Sequence, residues 1–267
     1  MPAISPNASA SPAANDRGLL LPAELREQVR RLERAHSAQR AGQAARPLGL
    51  PAIDALLPNG GLLTGALHEI EAGPAPSGRV AAHDGAALGF AAFLLSRFGR
   101  GTVLWCRRPS GAFDAPPYAP TLSAWFDPAR LLMVTARREE DLFWAMEEGL
   151  RCPGIAAVLG ETRAADPTAG RRLSLAAEKS GVPALLLRPQ PGPPQSVCTT
   201  RWRIVSAPSC ELAGRWKVEL RRNRFGTPSA AEIPSWLVEW NDETHSLSLV
   251  SQAFDGSAGA ELERLAG

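Results

Sequence analysis

The chain has 267 residues, of which 45% are hydrophobic, and a formal net charge of only +2 at pH 7. That length and apolar content suit one large or two small domains with a substantial core, and the near-neutral balance removes any global electrostatic case for nucleic-acid binding. No apolar run approaches the roughly 18 residues of a membrane span, and the N-terminus lacks the basic-then-apolar order of a secretory signal, so a cytoplasmic location is expected.

Residues 1–16 are rich in Ala, Ser, Pro and Asn. Such a stretch cannot bury enough surface to offset its ordering entropy, and it reads as a disordered leader. Residues 17–46 hold an amphipathic helix from Pro22 to about His36, then an Ala/Gly/Gln/Arg linker. Leu25, Val29 and Leu32 recur at helical spacing, with Pro22 suited to the first turn. The stripe has two readings: a docking helix for a partner, or a helix that folds back on its own core.

The body, residues 47–250, alternates strand-like runs with helical stretches. The runs are Ala66–Ile70, Thr102–Cys106, Leu131–Thr135, Ile155–Leu159 and Pro183–Leu187; the helical stretches are Gly78–Phe98, Arg138–Arg151 and Thr168–Ser180. This alternation predicts βαβ units around a mainly parallel sheet, and right-handed crossovers put helices on both its faces. After a Pro/Gly break at Pro189–Pro194, Arg201–Val205, Trp216–Leu220 and Ser235–Trp240 switch to period two, which predicts appended antiparallel strands. Leu247–Val250 adds a short strand, and residues 251–267 form a C-terminal tail with a helical turn at Ala260–Leu265. The expected fold is α/β, a mainly parallel sheet flanked by helices with antiparallel strands at the C-terminal end.

Four cysteines, Cys106, Cys152, Cys198 and Cys210, are scattered without a C-x-x-C pair, so free buried thiols are expected rather than a metal site. The four histidines are isolated and suggest no catalytic set.

One loop has the frame of a phosphate-binding P-loop, G-x-x-x-x-G-K-[ST]. Gly73 and Gly78 keep its spacing, but Arg79 stands at the Lys position and Val80 at the metal position, after Pro76 and Ser77. Val80 cannot hold magnesium, and Pro76 removes a backbone donor from the cradle. Two readings remain: residual anion binding at a helix N-terminus beside Arg79, or glycines kept because the strand-to-helix turn needs them.

Leu50-Pro51-Ala52-Ile53-Asp54-Ala55-Leu56 with Gly60-Gly61, then Glu69-Ile70, the Gly73 frame and Trp216-Lys217-Val218-Glu219-Leu220-Arg221-Arg222-Asn223-Arg224 together resemble the RecA recombinase core over about residues 48–249. Where that resemblance implies a catalytic glutamate the chain has Trp105-Cys106-Arg107-Arg108, and where it implies a magnesium-supporting aspartate it has Gly160, with Glu161 one residue late. A degenerate core of this kind, with an N-terminal helix and a Trp/Arg-rich ending, resembles the ImuA family of bacterial DNA-damage proteins, and more distantly the SulA division inhibitors. The resemblance implies no enzymatic activity, no cofactor and no metal. It implies a role in error-prone translesion synthesis beside ImuB and an error-prone C-family polymerase. The N-terminal helix makes RecA a further candidate partner, and direct DNA binding is expected to be weak or absent. The competing classes are an active RecA-like ATPase and an FtsZ-binding division inhibitor.

Arg201, Arg203, Arg215, Lys217, Arg221, Arg222 and Arg224 crowd into one segment with Trp202 and Trp216. Alternation puts the indoles toward the core and the cations toward water. The cation face then has three readings: a solvated face, a protein-docking face or a nucleic-acid face.

Overall fold

The computed structural model describes residues 43–74, 85–109, 117–163, 166–189, 197–209, 214–225 and 233–250. The stripe Leu25, Val29 and Leu32, loop residues Ser77, Gly78 and Arg79, and the C-terminal tail lie outside the described residues.

The described chain opens with a two-stranded antiparallel ribbon, β1 (Ala45–Arg46) against β2 (Leu62–Leu63). Between these strands lie helix α1 (Pro51–Asp54) and a 3₁₀ turn at Pro58–Gly60. Asp54 explains the entry turn: its carboxylate accepts from the backbone N–H groups of Leu48 (2.7 Å), Gly49 (3.0 Å) and Leu50 (3.1 Å), which ties the approaching chain to the first helical turn.

The main sheet has nine strands: β3 (Leu67–Ala72), β4 (Thr102–Arg107), β5 (Leu131–Thr135), β6 (Ile155–Glu161), β7 (Ala184–Arg188), β8 (Thr200–Ser206), β9 (Arg215–Asn223), β10 (Ser235–Asn241) and β11 (Ser246–Leu249). Their order is β11-β10-β9-β8-β3-β7-β6-β4-β5. Every pairing from β8 across to β5 is parallel, and β8, β9, β10 and β11 pair antiparallel in succession. The helices are α2 (Gly85–Ser96), α3 (Ala119–Leu122), α4 (Glu139–Arg151) and α5 (Pro167–Ser180). The mainly parallel α/β sheet with an antiparallel C-terminal extension is thus the architecture that the periodicity predicts, and the strand ends fall within two residues of the expected ones except at β9, which runs three residues further, to Asn223.

Each helix follows from its sequence. The described turns of α2 are apolar nearly all round, with Ala87, Phe90, Ala91, Phe93, Leu94 and Leu95 all buried, as a helix sunk into a core must be. Three acids, Glu139, Glu140 and Asp141, open α4 at its positive dipole end. Asp166 caps α5 by accepting from Thr168 N–H (2.8 Å), Pro167 fills the first position, and Gly181 ends the helix at φ +77°.

Two cores result, one on each face of the sheet. On the α2 face, Ile70, Trp105, Leu159, Leu185, Trp202, Ile204, Trp216, Val218 and Trp240 form one continuous cluster with Phe90 and Phe93. On the other face, Leu67, Leu104, Cys106, Val158 and Leu186 pack beneath Leu142, Met146, Leu150, Leu173 and Ala177 of α4 and α5. Cys106 and Cys198 are buried, whereas Cys152 is exposed because it immediately follows the last turn of α4.

Candidate functional site: the carboxyl edge of the parallel strands

Ligands of open α/β sheets sit outside the carboxyl ends of the strands. Here that edge is built from Gly73 after β3, Arg107 and Arg108 at the end of β4, Gly160, Glu161 and Thr162 at the end of β6, and Arg188 at the end of β7.

Gly160 lies on the α4 side of the sheet. A Cβ at this position would run into the thioether of Met146 and toward Leu142, so the glycine lets α4 approach β6. Sequence reading treated this position only as a lost aspartate; the packing shows what the glycine does instead. Glu161, one residue on, faces the opposite side, as the period-two geometry of a strand requires. Its carboxylate accepts from the Trp105 indole N–H (2.6 Å), and Arg107 Nε stands 3.8 Å away. The neighbouring acid, Glu139, is engaged as well: it accepts from the Thr162 hydroxyl (2.9 Å) and pairs with Arg108 (3.3 Å).

Gly73 donates its N–H to Ile204 O at 2.7 Å, and a Cβ there would collide with Val205 and crowd Arg203. Close approach to β8 therefore requires this glycine, and its donor is spent on the sheet.

The cation segment is rearranged relative to expectation. Trp202 and Trp216 are buried. Trp202 packs against Phe90, with ring centres 5.7 Å apart, and Trp125 packs with both Trp216 (5.7 Å) and Trp240 (3.7 Å). Arg201, however, does not face water. It is 7% exposed, donates to Glu69 at 2.9 Å and lies 3.3 Å from Glu71. Glu69 also pairs with Arg188 (3.5 Å), and Glu71 with Arg203 (3.9 Å). Burial opposes the Arg201 charge, but the adjacent Glu69 and its neighbours outweigh it and hold the guanidinium pKa above its ordinary value.

The outer cations meet acids too. Lys217 pairs with Glu219 at 2.9 Å, Arg221 lies 3.7 Å from the same carboxylate, and Arg215 pairs with Glu239 at 2.9 Å. Arg222 stands opposite Arg201 in the β8–β9 register and is half-buried, whereas Arg224 is exposed with its guanidinium over Phe225. The face is an interleaved ladder of both signs: its inner acids, Glu69 and Glu71, come from β3, and its outer ones, Glu219 and Glu239, from β9 and β10.

Two other titratable groups are structural. His68 is fully buried: one ring nitrogen bonds Leu63 O (2.9 Å) and the other the Thr200 hydroxyl (2.8 Å), which also accepts from the Trp202 indole N–H (2.9 Å). Burial lowers its pKa to about 4, against a smaller raising effect of the Leu63 carbonyl, so the ring is neutral at pH 7. Burial pushes the Cys106 thiol up to about 12, which leaves it without nucleophilic character. Among the described residues no cluster of three or more His, Cys, Asp or Glu side chains could hold a metal ion. Among the same residues, no helix is long and apolar enough to cross a membrane.

The class defined so far is a mainly parallel α/β protein whose strand-end carboxylates are engaged by its own arginines, indole and hydroxyl. No protein-family model matches the chain. It is 35% identical over 239 residues to Protein ImuA of Caulobacter vibrioides, with 79% of this chain and 91% of that protein covered, and the figures are the same for strains NA1000 and CB 15. The chain belongs to the ImuA family, which carries the theme of DNA damage and mutagenesis.

Proposed function

We propose that this protein is a non-enzymatic accessory factor of the bacterial DNA-damage response, acting in the cytoplasm. It supports error-prone translesion synthesis through contacts with ImuB and an error-prone C-family polymerase, with RecA as a further partner. Kinship with ImuA supports the pathway. A degenerate RecA-like core is part of this reading, supported by the central place of β3, the strand that leads into the Gly73 frame.

The observation that carries the non-enzymatic reading is the strand end of β6. Phosphoryl transfer needs a carboxylate that supports a metal and a base or polar group that orients the nucleophile. At Gly160 the space for such a side chain is filled by Met146, and the next carboxylate, Glu161, is held by Trp105 and Arg107.

The test is ATP turnover by the purified protein with and without single-stranded DNA, together with co-purification of untagged ImuB and polymerase from damaged cells. No turnover and retained partners are expected. A DNA-stimulated rate near the ~1 s⁻¹ lower end of ordinary enzymes would overturn the reading.

A further inference from the structure

Helices α4 and α5 lie side by side on one face of the sheet, and between them opens a groove of about 620 Å³ lined by Glu147, Arg151, Arg172, Leu175, Lys179 and their neighbours. Three cations, Arg151, Arg172 and Lys179, line it with one carboxylate, Glu147, and Arg151 also pairs with Glu148 just outside the lining. Glu147 is buried and already engaged: Arg172 donates to it at 2.9 Å, and Arg151 lies 3.6 Å away. Lys179 is exposed and makes no ion pair among the described residues.

Exposed apolar side chains stand on the groove wall and beside it. Leu175, on the wall, is 65% exposed, and Trp144, outside the lining but one helical turn before Glu147 and Glu148 on α4, is 61% exposed. A single exposed leucine means little. Here a leucine and a tryptophan stand on the outer surfaces of neighbouring helices beside a cationic trough, and neither serves the fold or the strand-end edge. Exposed tryptophan is among the residues that dominate binding energy at protein interfaces.

We propose that the α4–α5 groove docks an acidic segment of a partner protein that also carries apolar side chains. The inference rests on the accessory reading above and gives it a surface distinct from the β8–β9 ladder. Charge complementarity fixes the sign of the occupant: acids on the incoming segment meet Lys179 and the exposed guanidinium faces of Arg151 and Arg172, while its apolar side chains cover Leu175 and Trp144. A nucleic-acid strand fits less well, because the carboxylates of Glu147 in the lining and Glu148 beside Arg151 interrupt the cations that a phosphate backbone would track.

The experiment measures fluorescence anisotropy of a labelled peptide of about 16 residues, with Leu at helical spacing and Glu elsewhere, against the full-length protein. Two counterparts replace Glu by Lys or Leu by Ser, and labelled oligo(dT) serves as the nucleic-acid probe. The Glu/Leu peptide is expected to bind about tenfold or more tightly than any of the other three, and more weakly as salt rises. The double variant Leu175→Ser, Lys179→Glu is expected to lose about tenfold in affinity with an unchanged melting temperature, since both side chains are exposed. No binding of the Glu/Leu peptide, equal binding of the Lys/Leu peptide, tighter capture of oligo(dT), or full affinity in the double variant would each overturn the proposal. ImuB retained at wild-type level by that variant would remove the groove and leave the accessory role standing. ATP turnover by the wild type would remove the accessory role and leave the peptide result untouched.

Discussion

Apart from His68 with Thr200 and the Arg107–Glu161 strand end, the sheet is apolar on its α2 face from β4 to β11, and the antiparallel extension takes full part: Trp202, Ile204, Trp216, Val218, Val238 and Trp240 continue the core begun by Ile70 and Trp105. On its other face the apolar layer lies under α4 and α5, which pack on β3, β4, β6 and β7. From Glu69 and Glu71 outward, that face becomes a ladder of Arg188, Arg201, Arg203, Glu219, Lys217, Glu239 and Arg215. The difference teaches what the cation-rich segment is for. Its inner members compensate carboxylates placed in the central strand, whereas Lys217 and Arg221 share Glu219 nearer to solvent.

The sharpest way to break this comparison is to remove a carboxylate at the boundary. Glu69→Ala leaves Arg188 and Arg201 with one of their buried counter-charges gone, which costs about 3–5 kcal/mol. Urea unfolding should show it, and a loss below about 1 kcal/mol would mean that water already screens the network. For the same reason Arg201→Glu is no surface reversal, although alternation alone suggests that the core would be spared. It would gather three carboxylates at one buried point, so charge-reversal tests of partner binding belong at Lys217 and Arg221.

The apolar face has its own titration. The folded-state pKa of His68, about 4, lies below the ordinary 6.5, so the unfolded chain binds the extra proton between those values. Stability from the neutral ring is full above about pH 6.5 and is lost as pH falls toward 4, by roughly 3 kcal/mol in all. Unfolding midpoints of the wild type and His68→Gln, compared across pH 4 to 7.5, should show the steeper acid loss in the wild type. Parallel profiles would contradict the burial of that ring.

A smaller effect is expected at Gly160→Ala, which forces Met146 to shift and costs about 1–3 kcal/mol. A neutral result would show that α4 can move off β6, and that the glycine is not held by packing. The smallest is Lys217→Ala: its pair with Glu219 is half exposed, and the loss should stay under about 1 kcal/mol in the same unfolding assay.

Much of this was readable in the sequence. Period-two alternation puts Trp202 and Trp216 on the core side, and alternating βαβ runs locate β4 to β7 to within two residues. The pairing of Arg201 was not readable, because its partner Glu69 is 132 residues away in the chain. Composition within a window counts the cations of β8 and β9 and misses the acids that topology brings beside them. The role of Gly160 was equally hidden, since a missing side chain looks the same whether chemistry was lost or a helix needed room.

The central position of β3 has a consequence during synthesis. Its two hydrogen-bonding neighbours, β7 and β8, come from residues 184–188 and 200–206, so the strand that leaves the ribosome early waits for more than a hundred residues before either flank can close. Until then Glu69 and Glu71 remain hydrated, and no stable sheet can form around them without Arg188 and Arg201. A nascent chain halted before β8 would carry two carboxylates in the strand meant for its centre, a built-in barrier to premature collapse. Closure of the sheet around β3 is therefore expected late in synthesis, and slow in the manner of sheets dominated by distant pairings.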